Sequence, residues 1–154
     1  MRSAAITMMT RAAVLATFVL AAGPLSAQPN MPVATPERAA SLTVAAPAPA
    51  AIFLDVWIKS YTPPEQGQVE AVVSLAVGDN ALEVGRFTFF PAGPFVAREA
   101  REERGYRFDA SAALAKLGRD KPLTIRVALL AADAAKPPRG ATLTLSRAAF
   151  SPRP

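Results

Sequence analysis

The side chains that could do chemistry are few, and their types fit catalysis poorly. The chain contains no histidine and no cysteine. That excludes a disulfide, a thiol nucleophile, an imidazole base and any His- or Cys-ligated metal site. Ser111 has a carboxylate close by in Asp109, but a triad needs histidine. A Ser–Lys pair would have to use Lys116, and a serine opening an apolar helical turn is better explained as a helix cap. Glu102 and Glu103 are adjacent, yet adjacency does not supply the geometry of an acid/base dyad. Met31 is the only methionine after the leader described below, whereas a copper carrier built on soft ligands would need several. The residues therefore imply no catalytic group, no cofactor and no metal, and the chain reads as a non-enzyme.

What remains is binding chemistry. Phe87, Phe89, Phe90 and Phe95 form a dense aromatic group flanked by Pro91 and Pro94. Phe89 and Phe90 are neighbours, so in an extended chain they face opposite sides. One of them, or Phe95 in the following loop, is the candidate to insert into a partner's pocket, because aromatic anchors dominate interface hot spots. The competing reading buries both faces. Asp55 is either a partner anchor or a structural carboxylate beside Arg126 or another cation, since a buried carboxylate requires such a partner. Trp57, the single tryptophan, is either a stacking platform or a core residue. The mixed charges of residues 98–104 read as a solvated loop.

These residues need a scaffold, and the scaffold is periodic. Residues 52–58 (I-F-L-D-V-W-I) alternate with period two: Ile52, Leu54, Val56 and Ile58 face one way, and Phe53, Asp55 and Trp57 the other. β-Branched and aromatic residues in that pattern predict the central strand of the core. Residues 69–77 and 81–90 alternate around Gly78-Asp79-Asn80 and predict a hairpin. Gly85 inside the second run predicts a bulge or the close approach of another backbone. Residues 41–45 predict a short edge strand. Residues 106–109, 123–129 and 141–150 predict further strands, and 112–117 a short helix capped by Ser111 and ended by Gly118. About seven short strands and one helix in this length predict an all-β, antiparallel β-sandwich over residues 41–150. Residues 28–40, rich in proline and alanine, predict a disordered linker, and residues 151–154 a loose tail.

Residues 1–27 read as a signal peptide. Arg2 and Arg11 precede an apolar run at 12–22, and Gly23, Pro24 and a small residue at Ala27 follow. That run is too short for the ~20 residues of a spanning helix. Cleavage after Ala27 is expected, giving a periplasmic or secreted protein with no membrane attachment. The net charge of +5 includes the two leader arginines and is spread along the chain. Nucleic acid, which calls for a clustered basic face, is not an expected partner.

In this order, the pattern resembles the C-terminal domain of the tyrosinase and polyphenol oxidase family. That domain is marked by a Lys-Phe-Asp-Val motif opening a central strand, and Phe53-Leu54-Asp55-Val56 stands in its place, with leucine at the motif's phenylalanine. The strand before the prolines at residues 41–47 resembles the piece preceding the motif. Val84-Gly85-Arg86-Phe87 resembles the family's Gly-x-Phe strand. Residues 107–118 resemble its strand and short helix ending in Leu-Gly, and 123–129 and 141–150 its last two strands. The resemblance implies a β-sandwich that in the family follows a histidine-bound dicopper domain and shields its site. Here, with a leader of its own and no catalytic domain, the chain would act in trans, as a non-catalytic accessory module on a tyrosinase-like copper oxidase. The alternative is an exported β-sandwich interaction or structural module with no oxidase partner.

Overall fold

Strand alternation dominates the computed structural model, which describes residues 30–90, 92–133 and 138–153. The leader lies outside these residues. The strands in chain order are β1 (Val33–Ala34), β2 (Ala40–Val44), β3 (Ala51–Thr62), β4 (Val69–Val77), β5 (Asn80–Phe87), β6 (Phe95–Val96), β7 (Arg104–Asp109), β8 (Leu123–Ala131) and β9 (Thr142–Pro152). A 3-10 turn at Ala100–Glu102 precedes β7, and one helix, α1 (Ser111–Leu117), follows it. They form two antiparallel sheets. One has the order β1-β9-β3-β6, with β7 also on β3; the other has the order β2-β8-β4-β5. The expected all-β sandwich is the fold.

β3 is the hub. It pairs with β9 along one edge and with β7 and then β6 along the other. Leu54, Val56 and Ile58 point inward and are fully buried. They meet Ala71, Val73 and Leu75 of β4 and Leu123, Ile125 and Val127 of β8 in one core. Each such aliphatic side chain contributes about 1.5–3 kcal/mol by leaving water. Register shifts against β9 interrupt the alternation at Ala51/Phe53 and at Ile58/Ser60. The second carries Tyr61 inward, three residues after Ile58, as a bulge re-aims a side chain. The first leaves Ile52 half-buried, so it does not join the inward row expected of it.

Of the two outcomes expected at Gly85, the bulge occurs, and what comes close is an aromatic side chain and not another backbone. The register between β4 and β5 shifts between Val73 and Ser74, opposite Gly85. A Cβ at Gly85 would also lie 2.5 Å from the Phe108 ring. α1 closes the sandwich with Ala113, Leu114 and Leu117 buried, and ends at Gly118 with φ 88°. Its start differs from expectation. Ser111 is the first helical residue, and the Oδ1 of Asp109 accepts hydrogen bonds from the Ser111 backbone N–H, at 2.8 Å, and from its hydroxyl. The carboxylate does the capping because it reaches the free N–H of the first turn from outside the helix.

Two stretches expected to be loose are partly built into the sheet. Within 28–40, Val33 and Ala34 pair with Thr144 and Leu143 as β1, and Ala34 and Ala40 are buried. Pairing is a backbone property, so a Pro/Ala-rich segment can add to an edge without large apolar side chains. Of the tail, Ser151 and Pro152 belong to β9. β5 ends at Phe87, earlier than residue 90, and Thr88–Phe90 leave the ladder. The loop expected after it contains β6, the 3-10 turn and the start of β7.

Candidate functional site

The end of the sandwich where β5 runs out is aromatic. The Tyr61 and Phe89 rings stack with centroids 3.6 Å apart, Phe87 stacks on Tyr106 at 3.8 Å, and Phe87 meets Phe89 edge-on at 5.3 Å. Phe89 is 6% exposed and Phe90, the next residue, 93%. The two do face opposite ways, and the exposed one is Phe90. Phe95 lies between these extremes. It is half-buried, pairs with Tyr61 across the ladder, packs 6.3 Å from Phe89, and lies under the Arg104 guanidinium at 4.0 Å. It is therefore part of the wall and not a free anchor. Arg104 has its Nη1 buried without a hydrogen-bond partner. Burial raises the pKa of the Tyr61 phenol, with Tyr106 adding to the effect. Burial also raises that of Tyr106, against the opposing influence of Arg104. Beside Phe90 opens a cleft of about 420 Å³, between Pro63, Pro64 and Val69 on one side and Thr88 and Ala92 on the other. None of its described lining residues is charged.

The outer face of β3 carries the other sequence candidates. Asp55 is 8% exposed. The Arg107 Nε donates to its Oδ1 at 2.6 Å and the Arg107 Nη2 to its Oδ2 at 3.2 Å, while the Ser151 hydroxyl donates to Oδ2 at 2.6 Å. Burial pushes the Asp55 pKa up. The hydrogen bonds from Arg107 and Ser151, with the Arg107 charge, outweigh it and hold the carboxyl below its ordinary value. Arg126, the cation named from sequence, lies on β8 in the other sheet and donates to the Gly78 carbonyl at 3.4 Å. The cation tied to Asp55 is Arg107 and not Arg126, with the Ser151 hydroxyl beside it. Trp57 is half-buried on this outer face. Its indole lies against Gly105, where a Cβ would come 3.2 Å from Nε1, and the Arg147 guanidinium covers it at 4.0 Å. Arg147 donates to Glu103 at 3.2 Å. Phe53 has Arg107 over its ring at 5.5 Å. Each aromatic of this row is thus covered by an arginine that is itself tied to a carboxylate.

Neither remaining catalytic suspect forms a constellation. Glu102 accepts from the backbone N–H groups of Arg98 and Glu99, at 2.6 and 3.3 Å, whereas Glu103 accepts from Ser146 at 2.7 Å and from Arg147. The two carboxylates serve different partners. Ser111 is engaged with Asp109 at the helix start. Among the described residues no group of three or more His, Cys, Asp or Glu is placed to hold a metal ion.

One feature had no sequence signal. A groove of about 420 Å³ runs between residues 42–48, along β2, and residues 146–150 of β9. β2 ends its sheet, and β9 from Ser146 onward pairs only with β3 among the described residues. Two open strand edges line this groove, and only the pairing scheme brings them together. Among the described residues no helix is long and apolar enough to cross a membrane. The chain matches no protein-family model and no curated protein.

Proposed function

We propose that this chain is a non-catalytic exported module that binds another protein through its aromatic end. We further propose that the partner is a tyrosinase-like copper oxidase, which the module shields or stabilises in trans. One observation carries the binding reading: Phe90 is 93% exposed beside a cleft whose described lining residues carry no charge. A phenylalanine left in water forgoes about 1.5–3 kcal/mol of burial, and an aromatic anchor recovers that energy on entering a partner's pocket. The non-catalytic reading is supported by the lack of histidine and cysteine and by the engagement of Ser111, Glu102 and Glu103 with structural partners. Export is supported by the leader pattern. The oxidase partner is supported by the resemblance of residues 53–56, 84–87 and 107–118 to the tyrosinase C-terminal domain, together with the sandwich architecture that this resemblance implies.

The test is capture from the exported fraction of the native host, using the chain tagged from Gln28 onward. The eluate is assayed for copper and for catechol oxidation. The expected result is a stoichiometric copper oxidase that is lost with Phe90→Ala. A Phe90-dependent partner without copper would overturn the oxidase assignment and leave the exported interaction module. A clean eluate would overturn both.

A further inference from the structure

The two flanks of the sandwich are closed unequally. Between β5 and β7, Phe87 lies on Tyr106 at 3.8 Å and Gly85 sits under the Phe108 ring. Between β2 and β9, β1 covers β9 at Leu143 and Thr144, and the Pro32 carbonyl accepts from the Leu145 N–H at 2.9 Å. Past that bond the groove between β2 and β9 opens. Leu42, Val44, Ala148 and Phe150 line it; they pack on the core and yet stay half-buried.

Hydrogen-bond phase identifies the backbone groups left free there. The Ile52 carbonyl accepts from the Ala110 N–H at 2.8 Å, on the β7 side of β3. Alternation in an antiparallel ladder then turns Phe53, Asp55 and Trp57 toward β9, where their partners are Ser151, Ala149 and Arg147. Ala148 and Phe150 therefore direct their N–H and C=O groups into the groove. An open edge of this kind accepts another strand. Pro32 already turns its carbonyl to β9, so Asn30 and Gln28 share its phase. With Ser146 passed over, as β3 passes over it, Asn30 falls opposite Ala148 and Gln28 opposite Phe150. Pro29 has the other phase, so its missing N–H faces away from β9, a position that edge strands allow to proline. Cleavage after Ala27 would end the chain where the free N–H groups of β9 end, because Pro152, next in phase, has none.

Asn30 and Met31 are exposed and lie outside β1. We propose that in the chain processed after Ala27, residues 28–31 extend β1 along β9 and fill this groove, closing the second flank. The position of the strand's end rests on the export reading above; nothing in it rests on the oxidase.

Amide hydrogen exchange, read by NMR on the chain beginning at Gln28, tests this. The Ala148 and Phe150 amides should exchange at least about tenfold more slowly than in a chain beginning at Pro32. Asn30→Pro removes the donor aimed at the Ala148 carbonyl and should return both amides to the fast rate. Pro29→Ala should leave both slow. Slow exchange at Leu54 and Ile125, in the core, reports that each variant is folded. Equal exchange in the longer and shorter chains would overturn the proposal, as would protection that survives Asn30→Pro. Protection that survives removal of residues 28–31 and rises with protein concentration would give the edge to a second copy and overturn it too. Mass spectrometry of the exported protein separates this inference from the export reading. A start at Gln28 with unprotected amides overturns the added strand and leaves export standing. A natural chain that keeps its leader overturns export and, with it, the strand as placed here.

Discussion

The outer face of β3 and the aromatic end use similar residues to opposite effect. On the outer face, Phe53 and Trp57 flank Asp55, and arginines from β7 and β9 lie over both rings. Those arginines are fixed in turn by Asp55 and Glu103. At the aromatic end, Phe89 is stacked on Tyr61, while Phe90 is 93% exposed. An aromatic residue beside polar groups is thus no sign of a site by itself. What matters is whether the chain's own cations and rings already cover it. The first region is a closed clamp, and the second leaves one ring for something else to cover.

Substitutions can break this contrast. The largest effect is expected at Phe89→Ala, which empties a buried stack and should cost about 3–4 kcal/mol by urea unfolding. A loss below 1 kcal/mol would mean that the stack does not hold this end together. Asp55→Asn is expected to cost about 1–2 kcal/mol, because it weakens paired hydrogen bonds from Arg107 and Ser151 while Arg107 stays half in water. Its pH dependence has a definite sign. The folded Asp55 pKa is lowered, so its contribution is complete above the unfolded value of about 3.9 and is lost as pH falls through the folded value. Melting curves between about pH 5 and pH 2 should therefore converge for wild type and Asp55→Asn. A constant gap would deny the clamp its charge.

Smaller effects sharpen the same contrast. Phe95→Ala should lower stability by about 1–2 kcal/mol, since the half-buried ring packs on Phe89 and under Arg104. A free anchor would show no such loss. Arg147→Ala should cost about 0.5–1 kcal/mol through its stacking on Trp57 and should redden Trp57 fluorescence as water reaches the indole. Phe90→Ala should change stability by no more than about 0.5 kcal/mol in dilute solution, because the rest of its own chain leaves this ring in solvent. Phe89 and Phe90 are adjacent in sequence, yet their expected effects on folding differ several-fold.

Much of the scaffold was legible in the sequence because strand alternation is local. Adjacent side chains on a pleated backbone must point to opposite faces. That rule alone ordered Leu54, Val56 and Ile58 against Phe53, Asp55 and Trp57, and required Phe89 and Phe90 to diverge. Glycine marked Gly118 for a similarly local reason, its positive φ, whereas the Phe108 ring that crowds Gly85 comes from the other sheet. The edge pairing of Val33 and Ala34 was not legible, since backbone hydrogen bonds carry no side-chain signature. The capping role of Asp109 was missed because serine and aspartate are both good caps and only geometry ranks them.

By itself the sequence determined an all-β chain, its inward rows, its hairpin at Gly78 and its lack of imidazole and thiol chemistry. Each of these depends on residue type or on neighbours a few positions apart. Tertiary structure alone decided that Arg107 and not Arg126 meets Asp55, that Arg147 covers Trp57, that Phe95 is part of the wall, and that Phe90 is the ring left over. Those outcomes depend on strand register, which joins residues far apart in the chain: Asp55 lies opposite Arg107 on one side and Ala149 on the other. A one-residue slip in either pairing would turn every side chain of the row to the other face.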